Sequence, residues 1–333
     1  MRGNTDEMLF REYAADGSIV TKPRVQATTT PHFYGADLSF TVTLTGGLVR
    51  ADDRFLAPAS FTVTTAASSL LQPWVDEFTS GEEKGRQPGN VLSYRLRRPR
   101  GRGKRPLVIY LHGSGQVGTD NVAHLLSSLG AVGVLAHEDA WVLAPQAPEV
   151  FDRFDSYDER TGSGGGVHWQ TRNRRQLLLA LIRRLLRENP GIDADRVYIQ
   201  GLSRGGEGAL ALVLEAPELF AAAGIFSGRE AGCVEWMDGH ATPAMLRPAL
   251  GVPLWFFHAA QDTVSPVGGT RRNVEILRGL RHRNLRYTEL TRERPGDSGF
   301  VNASAHNSWD LAYNSPAFWQ WLLTQRRRRG GRR

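Results

Sequence analysis

Residues 197–208, with the sequence VYIQGLSRGGEG, form the segment that most restricts how this chain can fold. An apolar, β-branched run predicts a buried strand, and the glycine-rich stretch after it leads into an Ala- and Leu-rich helical pattern. Gly201 and Gly205 flank Ser203 in a Gly-x-Ser-x-Gly motif, and glycine tolerates the dihedral angles of a turn too tight for larger side chains. The segment therefore predicts a strand–turn–helix unit that presents Ser203 as a nucleophile.

Apolar strand patterns and helical patterns alternate along the chain from residue 91. The strand candidates are 91–97, 106–112, 140–145, 196–200, 222–227 and 253–259. The clearest helix is 172–189, in which leucines form one stripe and arginines occupy the other side. This alternation predicts an α/β fold, with a mostly parallel sheet covered by helices on both faces. Functional residues are then expected at the carboxyl ends of the strands.

The first third of the chain has a different pattern of apolar and polar residues. Segments 38–44 and 61–64 alternate apolar and polar residues with period two, as half-buried strands do. We expect a small β-rich module over residues 1–70, although these strands could instead extend the main sheet. The polar stretch 79–90 is interpreted as a connecting loop, and residues 71–325 as the catalytic domain.

The charge and composition of the chain limit the kinds of molecule that it is expected to bind. The formal net charge is +7, but the arginines of the tail 326–333 carry six of these charges, which leaves +1 on the rest. The tail is therefore interpreted as a solvated, disordered end, and nucleic-acid binding is not favoured. No run approaches the roughly 20 apolar residues of a membrane span. Cys233 is the single cysteine, so the fold needs no internal disulfide.

The first residues of the chain lack the apolar core of a signal peptide. The sequence as written is therefore expected to act in the cytoplasm. Secretion stays open if translation starts upstream.

An oxyanion hole needs two backbone N–H groups near the nucleophile. The first is expected from Arg204, the residue after Ser203. The second is expected from the loop after the strand 106–112, which ends in His112, Gly113, Ser114 and Gly115. The N–H of Ser114 is the first choice and that of Gly113 the alternative, while His112 is expected to brace the loop.

The acid and the base are expected after later strands. Asp262 follows the apolar run 252–259, where a carboxylate can accept the N–H of an imidazole and fix its tautomer. Asp297 and Asp310 compete with it, but neither follows an apolar strand. His306 lies in a loop after a strand over 286–290 and is the candidate base. His258 is expected to be packed within its strand.

Two tryptophans are candidates for the substrate pocket. Trp169 lies in the insert 147–171, which also carries other aromatic residues and a run of small ones over 162–166. This insert is interpreted as a pocket-edge loop, with a mobile surface loop as the alternative. Trp309 is close to His306 and could line the cleft or pack under the histidine loop.

The motifs above resemble those of the α/β-hydrolase superfamily. The resemblance rests on 112–115 (HGSG), 201–206 (GLSRGG), 257–262 (FHAAQD) and 306–310 (HNSWD), and it covers about residues 75–325. It is closest to a branch of polyhydroxybutyrate-depolymerase-like and feruloyl-esterase-like enzymes, often labelled predicted peptidases. Some members of that branch carry an immunoglobulin-like N-terminal module. Arg204 departs from the branch, which commonly has methionine there.

The resemblance implies a serine esterase that works through an acyl-enzyme, with Ser203, His306 and Asp262 as its triad. It implies no metal or organic cofactor. The expected partner is a small-molecule ester or a short peptide, because a serine peptidase would use the same residues. A non-catalytic binding protein with the same fold is a further alternative, and the sequence leaves the oligomeric state open.

Overall fold

A computed structural model of the chain describes residues 73–155, 167–232, 240–290 and 305–327, together with short strands in the first 72 residues. Its centre is a sheet of eight strands. They are β1 (Phe78–Lys84), β2 (Val91–Arg97), β3 (Arg105–Leu111), β4 (Trp141–Gln146), β5 (Ile192–Leu202), β6 (Ala222–Phe226), β7 (Leu254–Ala259) and β8 (Leu285–Leu290). Their order across the sheet is β1-β2-β4-β3-β5-β6-β7-β8.

Most of the sheet is parallel, as predicted. Strands β4, β3, β5, β6, β7 and β8 run parallel to one another, whereas β2 pairs antiparallel with both β4 and β1. The carboxyl ends of β5, β6, β7 and β8 therefore lie along the same edge of the sheet. That edge is where the sequence predicted Ser203, Asp262 and His306.

Helices cover both faces of the sheet, which confirms the predicted fold class. They are α1 (Pro73–Asp76), α2 (Ala123–Leu126), α3 (Arg172–Glu188), α4 (Arg204–Glu215), α5 (Pro243–Leu246), α6 (Gly268–Gly279), α7 (Trp309–Tyr313) and α8 (Pro316–Thr324). Short 3₁₀ helices span Gly133–Ala136, His168–Gln170, Pro217–Leu219 and Arg247–Gly251.

The two faces have separate apolar cores because side chains alternate along each strand. On β3, Leu107 and Ile109 pack into the core beneath α3, α4, α5 and α6, whereas Val108 and Tyr110 face the core beneath α1, α2, α7 and α8. The second core is rich in aromatic rings, and the ring of Phe318 from α8 lies 5.2 Å from that of Phe226 at the end of β6.

The interpretation of 79–90 as a loop is wrong for its first part. Residues Phe78–Lys84 form β1, which pairs with β2 along its whole length. β1 is an edge strand, and most of its side chains are exposed or half-buried, so its composition is polar. Glu83, for example, pairs with Arg184 of α3 at 2.7 Å.

The described strands of the first 72 residues pair among themselves. Leu38–Thr43 pairs antiparallel with Ser60–Thr65, and no described strand of this region joins the eight-stranded sheet. Most residues of the predicted module lie outside the described ones, so its boundaries and its immunoglobulin-like character stay predictions.

Three other regions fall only partly within the described residues. Arg326 and Arg327 pair with Asp193 and Asp195 at 3.3 and 3.1 Å, whereas residues 328–333 lie outside the described ones. Cys233 and residues 156–166 of the insert also lie outside them. None of the helices in the described part of the chain is long and apolar enough to cross a membrane.

Candidate active site

Ser203 occupies a sharp turn between β5 and α4. Its φ of 54° and ψ of −120° lie in a region that residues with side chains rarely adopt. Such a conformation costs about 1–3 kcal/mol and persists only where the surrounding structure enforces it. Here the N–H of Ser203 donates to the carbonyl oxygen of Phe226 at 2.8 Å, which fixes the turn to the end of β6.

The glycines around Ser203 are required by close backbone contacts. A Cβ on Gly205 would lie 2.0 Å from the carbonyl oxygen of Leu111 and 2.7 Å from that of His112. A Cβ on Gly201 would lie 2.3 Å from the carbonyl oxygen of Gly205. The turn therefore packs directly against the end of β3 and has no room for a side chain at either glycine.

His306 joins Ser203 to Asp262. Its Nε2 lies 2.9 Å from the Oγ of Ser203, and its Nδ1 lies 2.7 Å from the Oδ2 of Asp262. Ser203 comes from the end of β5, Asp262 from the loop after β7 and His306 from the segment after β8. The structure thus brings the three predicted residues into one chain of hydrogen bonds, with the geometry of a nucleophile, a base and an orienting carboxylate.

The carboxylate of Asp262 is fully buried and hydrogen-bonded at both oxygens. Oδ1 accepts the backbone N–H groups of Val264 and Ser265, each at 2.9 Å, while Oδ2 faces His306 and His258. Burial by itself would raise the pKa of Asp262, but the bonds from His258, His306 and the Ser265 amide hold that pKa well below its usual range. Asp262 therefore stays ionised at neutral pH and can stabilise an imidazolium.

The ring of His306 is held from a second side by Trp309. The two rings meet edge to face with their centroids 5.2 Å apart, and Trp309 is only 4% exposed. Asp310, which competed for the role of acid, instead accepts a hydrogen bond from Asn307 at 2.7 Å. Asp297 lies outside the described residues.

The predicted oxyanion loop lies beside the nucleophile. A Cβ on Gly113 would lie 3.4 Å from the Cβ of Ser203, and Ser114 follows as an exposed residue. His112 braces this loop, because its Nδ1 donates to the carbonyl oxygen of Gly113 at 2.6 Å and its Nε2 accepts the N–H of Ala147 at 2.9 Å. Arg204 is the first residue of α4, a position whose N–H has no carbonyl partner within its own helix.

The family is established by comparison with known proteins. The profile of the family described as "Putative esterase" matches residues 89–268, which is more than half of the chain and includes Ser203 and Asp262. The chain belongs to this esterase family. The predicted resemblance to α/β-hydrolase esterases and the predicted enzyme class are thereby confirmed.

Individual relatives agree with this assignment. Over 147 residues the chain is 31% identical to a poly(3-hydroxybutyrate) depolymerase of Ralstonia pickettii, a match that covers 41% of this chain and 28% of that enzyme. A thermostable esterase of known crystal structure is 28% identical, with a TM-score of 0.68 over 87% of this chain and 72% of the other. The chain thus spans less than a third of the depolymerase and most of the esterase.

A more distant structure shares the fold alone. The fluorophosphonate-binding serine hydrolase F of Staphylococcus aureus is 14% identical, with a TM-score of 0.53 over 74% of this chain and 98% of that one.

Arg204 of this esterase-family member points its side chain into a charged cluster. Its guanidinium lies 3.1 Å from the carboxylate of Glu207, which also accepts a hydrogen bond from Gln170 at 2.9 Å and lies 3.7 Å from Arg229. Burial raises the pKa of Glu207, against the opposing effect of Arg204. Arg204, at the position where the resembling branch commonly has methionine, thus forms an ion pair with Glu207 in the first turn of α4.

The two tryptophans predicted to line the substrate pocket, Trp169 and Trp309, are both buried against other residues of the chain. Trp169 is fully buried, and its indole N–H donates to the carbonyl oxygen of His112 at 3.0 Å. It therefore packs against the predicted oxyanion loop, as Trp309 packs against His306. Contact of either residue with substrate stays a prediction.

Sequence reasoning overlooked His258 as a part of this site. Its Nε2 lies 3.0 Å from the Oδ2 of Asp262. The signal in the sequence was its position four residues before Asp262. A histidine near the end of a strand can contact a carboxylate in the loop that directly follows that strand.

Three buried histidines should make the fold sensitive to mild acid. Burial is the main cause that lowers the pKa of His112 and His124 to about 3 and that of His168 to about 2. The unfolded chain takes up these protons below about pH 6.5, whereas the folded chain does not. The free energy of unfolding should therefore fall as the pH drops from about 6.5, by about 2 kcal/mol per histidine at pH 5.

His124→Phe tests this pH dependence. The variant should reduce the loss of unfolding free energy between pH 7 and pH 5 by about 2 kcal/mol, since one proton-binding site of the unfolded chain is gone. Chemical denaturation at both pH values measures the difference, and His240→Phe is the control because its side chain is 81% exposed. An unchanged pH dependence in His124→Phe would contradict the expectation.

Proposed function

We propose that this chain hydrolyses carboxylic esters through an acyl-enzyme, with Ser203 as nucleophile, His306 as base and Asp262 as the orienting acid. The observation that carries the proposal is the position of the His306 ring, 2.9 Å from the Oγ of Ser203 and 2.7 Å from Asp262. The esterase family of the chain supports the choice of an ester as substrate.

The first half of the reaction forms the acyl-enzyme. The Oγ of Ser203 attacks the ester carbonyl carbon while its proton passes to Nε2 of His306. Asp262 accepts the Nδ1–H of the resulting imidazolium and stabilises its charge. When the tetrahedral intermediate collapses, the bond to the leaving oxygen breaks and His306 returns the proton to the alcohol.

The second half releases the acid. A water molecule gives a proton to His306 and attacks the acyl carbon, and the acyl bond to Ser203 then breaks with return of the proton to the Oγ. In both halves the carbonyl oxygen becomes negatively charged. We assign its stabilisation to the backbone N–H groups of Arg204 and Ser114, with Gly113 as the alternative, and each such donor is typically worth about 3 kcal/mol.

Two further points of the proposal concern the substrate. A poly(3-hydroxybutyrate) depolymerase is among the relatives, so oligomeric and monomeric esters of short hydroxy acids belong in the first substrate panel. An amide bond could be cleaved by the same residues, so each ester is paired with an anilide that has the same acyl group.

The test uses a fluorophosphonate probe and these paired substrates. We expect the probe to label the folded chain at Ser203, as peptide mapping by mass spectrometry would report, and to block turnover in proportion to labelling. We also expect the esters to be hydrolysed faster than their matched anilides. Absence of labelling in folded protein would contradict the nucleophile, and faster anilide cleavage would favour a peptidase.

A further inference from the structure

Asp262 is shared by two histidines. His258 is the fifth residue of β7 and is fully buried. Its Nε2 lies 3.0 Å from the Oδ2 of Asp262, the same oxygen that the Nδ1 of His306 contacts at 2.7 Å. The proposed mechanism uses only His306, so His258 has no role in it.

The contacts of His258 show that its Nε2 carries a proton. Nε2 lies between two acceptors, the Oδ2 of Asp262 and the carbonyl oxygen of Ser265 at 2.7 Å, so it must be protonated and donate. Nδ1 lies 2.8 Å from the hydroxyl of Thr270, which can donate or accept and is itself 3.3 Å from the carbonyl oxygen of Gly228. The ring is therefore held at both nitrogens and directs an N–H at the triad carboxylate.

The two imidazoles compete for one oxygen. Oδ1 of Asp262 is already occupied by the N–H groups of Val264 and Ser265, which leaves Oδ2 for both rings. A donor on a carboxylate oxygen draws off part of its negative charge and weakens its attraction for a second donor. Asp262 should accordingly hold a proton on His306 less firmly than it would if His258 were absent.

Glu289, a charged residue close to His258, is paired with Arg271. Glu289 of β8 is the partner of His258 in the strand register, and this carboxylate lies 2.5 Å from the guanidinium of Arg271 on α6. The hydrogen bond from Arg271 is the main cause that lowers the pKa of Glu289 to about 2. Glu289 and Asp262 thus both keep their charge through the pH range of a hydrolase assay.

We infer that His258 is a positioning residue that takes part of the charge of Asp262 and so lets His306 act as a base at lower pH. The inference rests on the proposed triad, because it concerns the pH at which His306 becomes available to Ser203. It predicts an effect on the acid limb of the pH–rate profile, where activity rises as the base loses its proton.

His258→Phe in the full chain tests the inference. Phenylalanine keeps a ring in the buried site but removes the N–H, so Asp262 acts on His306 alone. We expect the acid limb of kcat/KM for a chromogenic short-chain ester to move to higher pH by about half a unit or more. His258→Gln, whose amide can still donate to Asp262, should keep the limb close to that of the wild type.

A matched control is available in His282. Its Nε2 also lies between two acceptors, the backbone carbonyl oxygens of Ala249 and Val252 at 3.1 and 3.0 Å, but His282 precedes β8 and so lies at the amino ends of the parallel strands, opposite the end that carries Asp262. His282→Phe should leave the acid limb in place whatever it does to stability. Thermal unfolding of each variant shows whether the profile was measured on folded protein.

A purely structural role gives a different result. If His258 only anchored the loop 262–265, its loss would let Asp262 move away from His306, and the acid limb would stay or move to lower pH as activity falls. Either outcome in a folded variant overturns the inference. If His258→Phe does not fold, His258→Met also lacks the donor and carries the same expected shift and the same refutation.

Ser203→Ala, assayed in parallel, separates this inference from the proposed function. Persistent turnover in Ser203→Ala overturns the proposed function and the inference with it. Loss of turnover in Ser203→Ala, together with an unmoved limb in the His258 variant, overturns the inference alone.

Discussion

Ser203→Ala should lower turnover of a chromogenic short-chain ester by about four orders of magnitude or more, with the fold intact. Alanine removes the attacking oxygen, whereas the contacts that hold the turn are made by the backbone, among them the bond from the N–H of Ser203 to Phe226. The measurement is the initial rate at saturating ester, beside a thermal unfolding curve.

Ser80→Ala is the matched control for this experiment, because Ser80 is an exposed residue of the edge strand β1. Its rate should equal that of the wild type. Turnover by well-folded Ser203→Ala at more than about a hundredth of the wild-type rate would contradict the assignment of the nucleophile, since triad members act as a unit.

Gly205→Ala should destabilise the whole fold, by more than about 4 kcal/mol. The added methyl group would lie 2.0 and 2.7 Å from two backbone carbonyl oxygens at the end of β3, which cannot move without disturbing the centre of the sheet. We expect a large fall in the midpoint of urea denaturation, and loss of activity even in the folded fraction, because the turn that orients Ser203 would be displaced.

Gly251→Ala makes the same chemical change where there is room for it. Among the described residues, no atom outside the chain segment next to Gly251 lies within 4 Å of a Cβ at this position, so this variant should unfold at nearly the wild-type urea concentration. A Gly205→Ala protein as stable and as active as Gly251→Ala would show that the turn is more adaptable than its close contacts indicate.

The elements around the site could be predicted from the sequence because their signals are local. Ser203 and Asp262 each follow an apolar strand within a few residues, and His306 follows the strand that precedes the last helices. In a parallel sheet these strand ends meet at one edge, so the places of the three residues after predicted strands, together with the family resemblance, were enough to group them.

Features that depend on the position of an element within the fold were not predictable in this way. β1 was interpreted as a loop because an edge strand with solvent on most of its length carries charged residues that resemble those of a loop. Trp169 shows the same limit, since only the packed structure reveals that its indole N–H donates to the carbonyl oxygen of His112, at the start of the predicted oxyanion loop.

His258 was predictable only in part. Its burial followed from its place in an apolar strand, but its partner did not, because the loop 262–265 must fold back over β7 before Nε2 meets Asp262. A polar residue buried within an apolar strand needs a hydrogen-bond partner, and for His258 the loop that directly follows the strand supplies it.

The wide spacing of the three proposed catalytic residues along the chain has a consequence for studies of refolding. Ser203 and His306 are 103 residues apart in sequence and Asp262 and His306 are 44 apart, so the constellation exists only when distant segments have already docked. Helix content, measured by circular dichroism, can return while such contacts are still absent. Regained ester hydrolysis would therefore mark the last, non-local stage of assembly, and the interval between the two signals would time the docking of the β7–β8 region onto β6, which brings Asp262 and His306 to Ser203.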